Sequence, residues 1–239
     1  MKKLVFVCGI LASALSIGIS AMSKYDDFRR AASDCNNWKG DLDACSAMLK
    51  MNYTILVNCL NGDIDACQAI IDSGLLTSME CTKDTCFVFG KVCGMAGHHK
   101  EAIPYFEKAI ALGDNSAYYL LGVSYFNLKD YFNTKKYFEI SCNEGNYNTH
   151  QIDSCYNLGL MYNDGQGVRQ DYQKAAELYK KACDMKYSEA CNNLGVLYIN
   201  GHGVSQNRYI AKLYYDKACN LGNQVGCENY KKINQEGVR

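Results

Sequence analysis

Fourteen cysteines in 239 residues are the side chains of this sequence best placed to do chemistry, and their spacing says which chemistry. Cys59 and Cys67, Cys183 and Cys191, and Cys219 and Cys227 each stand eight residues apart. Cys142 and Cys155 keep the same places with five residues inserted between them. One stretch supplies an internal control. Its aligned positions are Ile110 and Tyr118, again eight apart, so both cysteines are missing together, as bonded partners would be. The four pairs are therefore expected to be disulfides, which require an oxidising compartment. Cys8 falls inside an N-terminal apolar run, and the others, Cys35, Cys45, Cys81, Cys86 and Cys93, are odd in number. At least one must stay free or pair between molecules. Cys93 is the candidate, since it occupies the place that Tyr125, Tyr162 and Tyr198 hold elsewhere, and a buried thiol is expected there.

Other chemistries find little support in the residues. The four histidines, His98, His99, His150 and His202, are scattered over expected loops, away from metal-ligand spacing, with His98 and His99 read as solvated residues entering a helix. No Ser-x-x-Lys places a lysine one turn from a serine nucleophile. There is no Gly-x-x-x-x-Gly-Lys phosphate loop, and the Gly-x-Gly-Val turns lack the preceding strand that a dinucleotide site needs. We nominate no catalytic residue, metal site or cofactor. The 25 basic residues are matched by 25 acidic ones, which leaves no electrostatic excess for nucleic acid or a lipid surface.

The elements that must position these cysteines follow from a repeat. Cys155, Cys191 and Cys227 are separated by 36 residues, as are Cys183 and Cys219. The surrounding text repeats too: Asp164-Gly-Gln-Gly-Val168 returns as Asn200-Gly-His-Gly-Val204. Apolar residues at three- and four-residue spacing on either side of this turn predict two helices per unit. The first is expected over about 154–163 and the second over about 171–185, with Ala175, Leu178, Tyr179 and Ala182 as its apolar stripe. Gly159 and Gly195 lie inside first helices, where glycine costs about 1 kcal/mol relative to alanine. Close approach of the partner helix, through Ala182 and Ala218, is the expected compensation. Upstream units around Gly122 and Gly90 lack the four residues of the Gly-x-Gly-Val turn. Each disulfide would then join the end of one repeat's second helix to the first turn of the next repeat. Tyr105, Phe106, Tyr131, Tyr137 and Phe138 fall mostly on the core side by helical spacing.

At the N-terminus, Lys2 and Lys3 precede an apolar run from Leu4 to Ile19 with small residues at Ala21 and Ser23. Residues 1–23 read as a secretory signal peptide, too short in its apolar part for a membrane span. The expected domains are that leader, a cysteine-rich helical cap at 24–80 and a repeat solenoid at 81–239. After leader cleavage the chain is expected to be secreted or periplasmic, with no stable membrane insertion.

The Gly-x-x-Tyr, Ala, Ala spacing of the shorter units resembles the tetratricopeptide repeat, and the longer units resemble its Sel-like relatives. With a cysteine pair per repeat and a leader, the chain resembles the Helicobacter cysteine-rich family of secreted Sel-like repeat proteins. The resemblance implies an all-α solenoid of antiparallel helical hairpins stapled by disulfides. It also implies penicillin binding and slow β-lactam hydrolysis, with a β-lactam or peptidoglycan-related small molecule as ligand. The absence of Ser-x-x-Lys and Lys-Thr-Gly speaks against a serine β-lactamase.

A binding surface is better supported. Asn157, Asn193 and Asn229 fall two residues after successive cysteines and share one face of the first helices, the face that lines the concave groove in the tetratricopeptide fold. The ladder ends upstream at Leu120 and Val88. Amides carry donor and acceptor, which suits them to an extended peptide backbone. The same asparagines could instead bond one repeat to the next, and the sequence weighs the two readings equally. Tyr156, Asn163 and Asn192 are expected to flank the groove. The favoured reading is an exported scaffold binding a peptide or protein partner, with the weak β-lactam hydrolase as its alternative.

Overall fold

The structure is a computed structural model that describes residues 55, 58–59, 63–72, 83–143 and 149–237. The expected leader and most of the expected cap, including Cys35 and Cys45, lie outside the described residues, as does Cys81. The described residues are helical throughout, with ten helices connected by turns. They fall into two compact units, 1–114 and 115–239.

In the first unit, α1 (Ile64–Asp72) is followed by the hairpin of α2 (Lys83–Met95) and α3 (His99–Ala111). Cys59 and Cys67 lie at disulfide distance, 2.05 Å between sulfurs, and are fully buried. The α2–α3 turn closes when the His98 N–H donates to the Cys93 carbonyl at 2.8 Å. Cys93 is free and 1% exposed, as its tyrosine-equivalent place predicts. Burial, and then the nearby Glu101 carboxylate, push its thiol up to about 11. Cys86 takes part in a disulfide. His98 and His99 are less solvated than expected: His98 Nε2 lies 2.7 Å from Gln68 Oε1, and His99 Nδ1 is buried.

The second unit stacks α4 (Ala117–Asn127), α5 (Tyr131–Asn143), α6 (Thr149–Asp164), α7 (Tyr172–Asp184), α8 (Ser188–Asn200), α9 (Arg208–Asn220) and α10 (Gln224–Gln235). Second helices start on caps: Asp130, Asp171 and Asn207 accept from the backbone N–H of Asn133, Lys174 and Ile210 at 3.0–3.1 Å. The expected start of the first helix at Ser154 is a turn too late. The Gln151 amide donates to the Cys142 carbonyl at 3.0 Å and the Ser154 hydroxyl donates to the His150 carbonyl at 2.7 Å, and the helix begins at Thr149. His150 therefore belongs to α6 rather than to a loop.

The glycines inside first helices do meet a close neighbour, but it is an aromatic ring and not the expected alanine. A Cβ on Gly159 would stand 2.7 Å from the Tyr179 ring, and one on Gly195 would stand 2.6 Å from the Tyr215 ring. The same packing sets Gly122 against Phe138 and Gly90 against Phe106. A bare Cα admits the flat face of a ring, which buries far more apolar surface than a methyl group does. Ala218 instead packs on Gly226 of the following helix, 2.6 Å from its Cβ position.

Between repeats the cysteines act as staples. Cys142 and Cys155, Cys183 and Cys191, and Cys219 and Cys227 have Cα atoms 4.8, 4.7 and 4.4 Å apart, within the range that a disulfide bridges. Each links the last turn of a second helix to the early turns of the next first helix. The long turns are locked by a glutamine that the sequence reading passed over. Gln170 and Gln206 donate to the Asn163 and Ile199 carbonyls, both at 2.7 Å.

Candidate functional site

First helices of the second unit stack so that two columns of side chains run side by side. Tyr119, Tyr156 and Asn192 form one, and Asn157, Asn193 and Asn229 form the other. Interactions cross from each repeat to the next. The Asn229 amide donates to Asn192 Oδ1 at 2.8 Å, and Asn157 interacts electrostatically with Tyr119, and Asn193 with Tyr156 and Tyr179. At Asn229 the ladder is thus used for bonding between repeats. Each amide has two donors and two acceptor lone pairs, more than these bonds consume. All five of the grouped sequence-predicted residues, Asn157, Asn193, Asn229, Tyr156 and Asn192, are half-buried with polar atoms along one face.

Asn163 does not join them. Six residues beyond Asn157 on the same helix, it is rotated by about 120°. Its amide donates to Asp164 Oδ1 at 2.7 Å and its carbonyl holds Gln170, so it belongs to the turn.

Around the ladder stands a cluster that the sequence reading missed. His150 and Asp153 lie on α6 at i, i+3 spacing, with Asn157 four residues further on the same stripe. The His150 ring stacks on Tyr119 with centroids 5.3 Å apart, and Tyr156 and Tyr187 approach to 4.8 Å. Asp153 interacts electrostatically with Tyr119, Tyr187 and His150. Among the described residues no donor is bonded to its carboxylate. Burial raises its pKa above the usual carboxylate range, opposed by His150. Burial, then Asp153 and Glu189, push the Tyr187 hydroxyl up to about 12. The signal that could have found this cluster is the 150, 153, 157 stripe, which becomes visible once α6 is extended by its first turn.

Chemically, the face offers a half-desolvated acceptor beside electron-rich rings, next to amides with spare donors. That combination suits peptide N–H groups and the cationic side chains of a polypeptide. No helix among the described residues is long and apolar enough to cross a membrane.

Comparison with known proteins agrees with this architecture. The Sel1 repeat pattern matches residues 99–114, 115–146, 152–187 and 188–223, half of the chain. No curated protein matches the chain in sequence. Among solved structures, the chain is similar to the protective antigen c5321 of uropathogenic Escherichia coli, which displays an SLR fold, with TM-score 0.57 and 22% identity. That match covers 79% of this chain and 42% of the antigen, so the chain spans less than half the antigen's length. It is similar to MamA with TM-score 0.52 and 24% identity, over 71% of this chain and 95% of MamA. It also matches Helicobacter pylori cysteine rich protein B at 31% identity and TM-score 0.42, over 54% of this chain and 92% of that one.

Proposed function

The chain belongs to the Sel1 repeat family, and we propose that it is an exported scaffold that holds a peptide or protein segment along the first-helix face of its second unit. The observation that carries this reading is the half-buried Asp153 carboxylate without a bonded donor, set between Tyr119, His150 and Tyr187 and continuous with the asparagine ladder. The carboxylate is partly buried yet keeps acceptor capacity toward the surface, so a donor from a ligand can bond to it. Contact between repeats fixes the amides in place and so presents their remaining donors and acceptors in a preorganised row.

Export is supported by the disulfide staples, which persist in secreted or periplasmic proteins, and by the leader read at 1–23. Peptide contacts are assigned to Asn157, Asn193, Asn229, Tyr156 and Asn192. The test is capture of a partner from native envelope extract by the oxidised chain, followed by calorimetry. D153N and the N157A/N193A pair should each weaken binding about ten-fold or more while the chain stays helical. Unchanged affinity in both variants would remove the first-helix face from the account. Nitrocefin turnover that co-purifies with the oxidised chain through size exclusion would favour the hydrolase that the family resemblance implies.

A further inference from the structure

A cleft of about 600 Å³ opens in the second unit where the long turn of one repeat lies on the second helix of the repeat before it. Its floor belongs to the fold. A Cβ on Gly167, whose φ is +67°, would stand 2.1 Å from Tyr131 Cβ, so turn backbone and side chain pack directly together. Tyr162 and Val168 complete the apolar floor. The rim is made of Phe132, Lys135, Arg169 and Lys174. Phe132 is 81% exposed. Lys174 Nζ stands 5.0 Å over the Tyr162 ring, Lys135 lies 3.6 Å from Glu139 outside the cleft, and Arg169 has no ion pair among the described residues. Asp171 also lines the cleft, but its carboxylate already caps α7 by accepting from the Lys174 N–H at 3.1 Å.

The next repeat builds the same turn without this rim. Tyr131, Tyr162, Gly167 and Val168 recur there as Tyr172, Tyr198, Gly203 and Val204, whereas Phe132, Lys135, Arg169 and Lys174 are replaced by Gln173, Ala176, Ser205 and Ile210. Gly203 packs against the Tyr172 backbone, 2.2 Å from its Cβ position, and the His202 ring stacks on Tyr172 with centroids 4.7 Å apart. The architecture therefore needs the floor and does not need an exposed ring with three cations around it. Gathering three like charges at one rim costs self-repulsion, and against the single Asp171 carboxylate they leave the cleft net positive, which concentrates counter-charge.

We propose that this cleft docks an acidic peptide segment, its carboxylates on Lys135, Arg169 and Lys174 and an apolar side chain of the peptide against Phe132. The volume lies within the range of about 300–1,000 Å³ usual for ligand sites. Arg169 presents a fork suited to a carboxylate, and the exposed phenyl ring supplies an anchor that charge alone does not. A free dicarboxylate would satisfy the cations and leave Phe132 in water, which is why a peptide is the occupant that fits. The site is separate from the first-helix face and stands without it.

Fluorescence anisotropy of a labelled Glu-Asp-Phe-Glu-Asp peptide on the oxidised full chain tests the assignment. Saturable binding is expected, falling with added salt as exposed charge pairs are screened. K135A/R169S/K174I installs the residues that the neighbouring repeat already carries, and it should weaken binding about ten-fold or more. F132Q should weaken it about three-fold. If circular dichroism finds the triple variant less helical, R169S alone decides, because Arg169 makes no ion pair that the fold uses. N157A/N193A should leave this binding unchanged, so failure here is distinguishable from failure at the first-helix face. The proposal is overturned by absence of saturable binding, by unaltered binding in the triple variant, or by equal binding of the Gln-Asn-Phe-Gln-Asn peptide. Competition by free glutamate at the same concentration as the peptide would overturn the peptide as occupant.

Discussion

Removing one staple gives the sharpest test of the energetics. Cys183 and Cys191 close a loop of eight residues between α7 and α8. In the chain-entropy treatment, that link lowers the unfolded state's entropy by about 8 cal/mol/K, or about 2.5 kcal/mol at 25 °C. Both sulfurs are fully buried, so C183A/C191A also loses packing, and the entropic figure is a floor. Cys219 and Cys227 close a loop of the same length but are only half-buried, so C219A/C227A should cost less than the first pair. The measurement is urea unfolding of the oxidised chain followed at 222 nm, with the denaturant slope compared between variants. A loss of about 2.5 kcal/mol or more for C183A/C191A, larger than for C219A/C227A, is expected. A loss below about 1 kcal/mol, or the reverse order, would refute stapling between repeats as a main source of stability.

Three further outcomes follow from the packing and the titrating groups. G195A places a methyl 2.6 Å from the Tyr215 ring and should cost about 1–3 kcal/mol by overpacking, whereas G94A meets nothing within 4 Å and should gain up to about 1 kcal/mol of helix propensity; urea midpoints decide. D153N should raise the melting temperature at pH 7 and change little at pH 3. The folded Asp153 pKa lies above its unfolded value, so the penalty of the ionised form is absent at low pH and sets in as pH rises through the folded pKa; equal shifts at both pH values would count against its desolvation. The Cys93 thiol, raised from 9.0 to about 11 by burial first, should resist iodoacetamide at pH 8 in the folded chain and react once urea unfolds it, read by intact mass. Rapid labelling of the folded chain would contradict its burial.

Much of the fold is legible in the sequence because the repeat period and the paired loss of cysteines at Ile110 and Tyr118 constrain it from two directions. What fills the space above Gly159 is not legible in that way. A mid-helix glycine says that something comes close, but Ala182 and Tyr179 lie three residues apart on one stripe, and only the crossing of α6 and α7 selects the ring. The residues just before Ser154 read as loop in the sequence. Gln151 and Ser154 place 149–153 in helix through bonds to Cys142 and His150, which draws His150 and Asp153 onto the ladder face. Asn163 was misplaced because it follows the same helix without sharing its face. The cationic cleft is hidden for another reason: Phe132 and Lys135 come from one repeat and Arg169 and Lys174 from the next, so no local motif gathers them.

The central claim, partner binding on the first-helix face, is tested most directly by a photo-crosslinking side chain placed at Glu189, exposed one turn before Asn193 on α8, and compared with the same group at Glu177 on α7. In native envelope extract the account predicts a discrete polypeptide adduct from position 189 that disappears in the D153N background, with none from position 177. An adduct from position 177 and none from position 189 would contradict it.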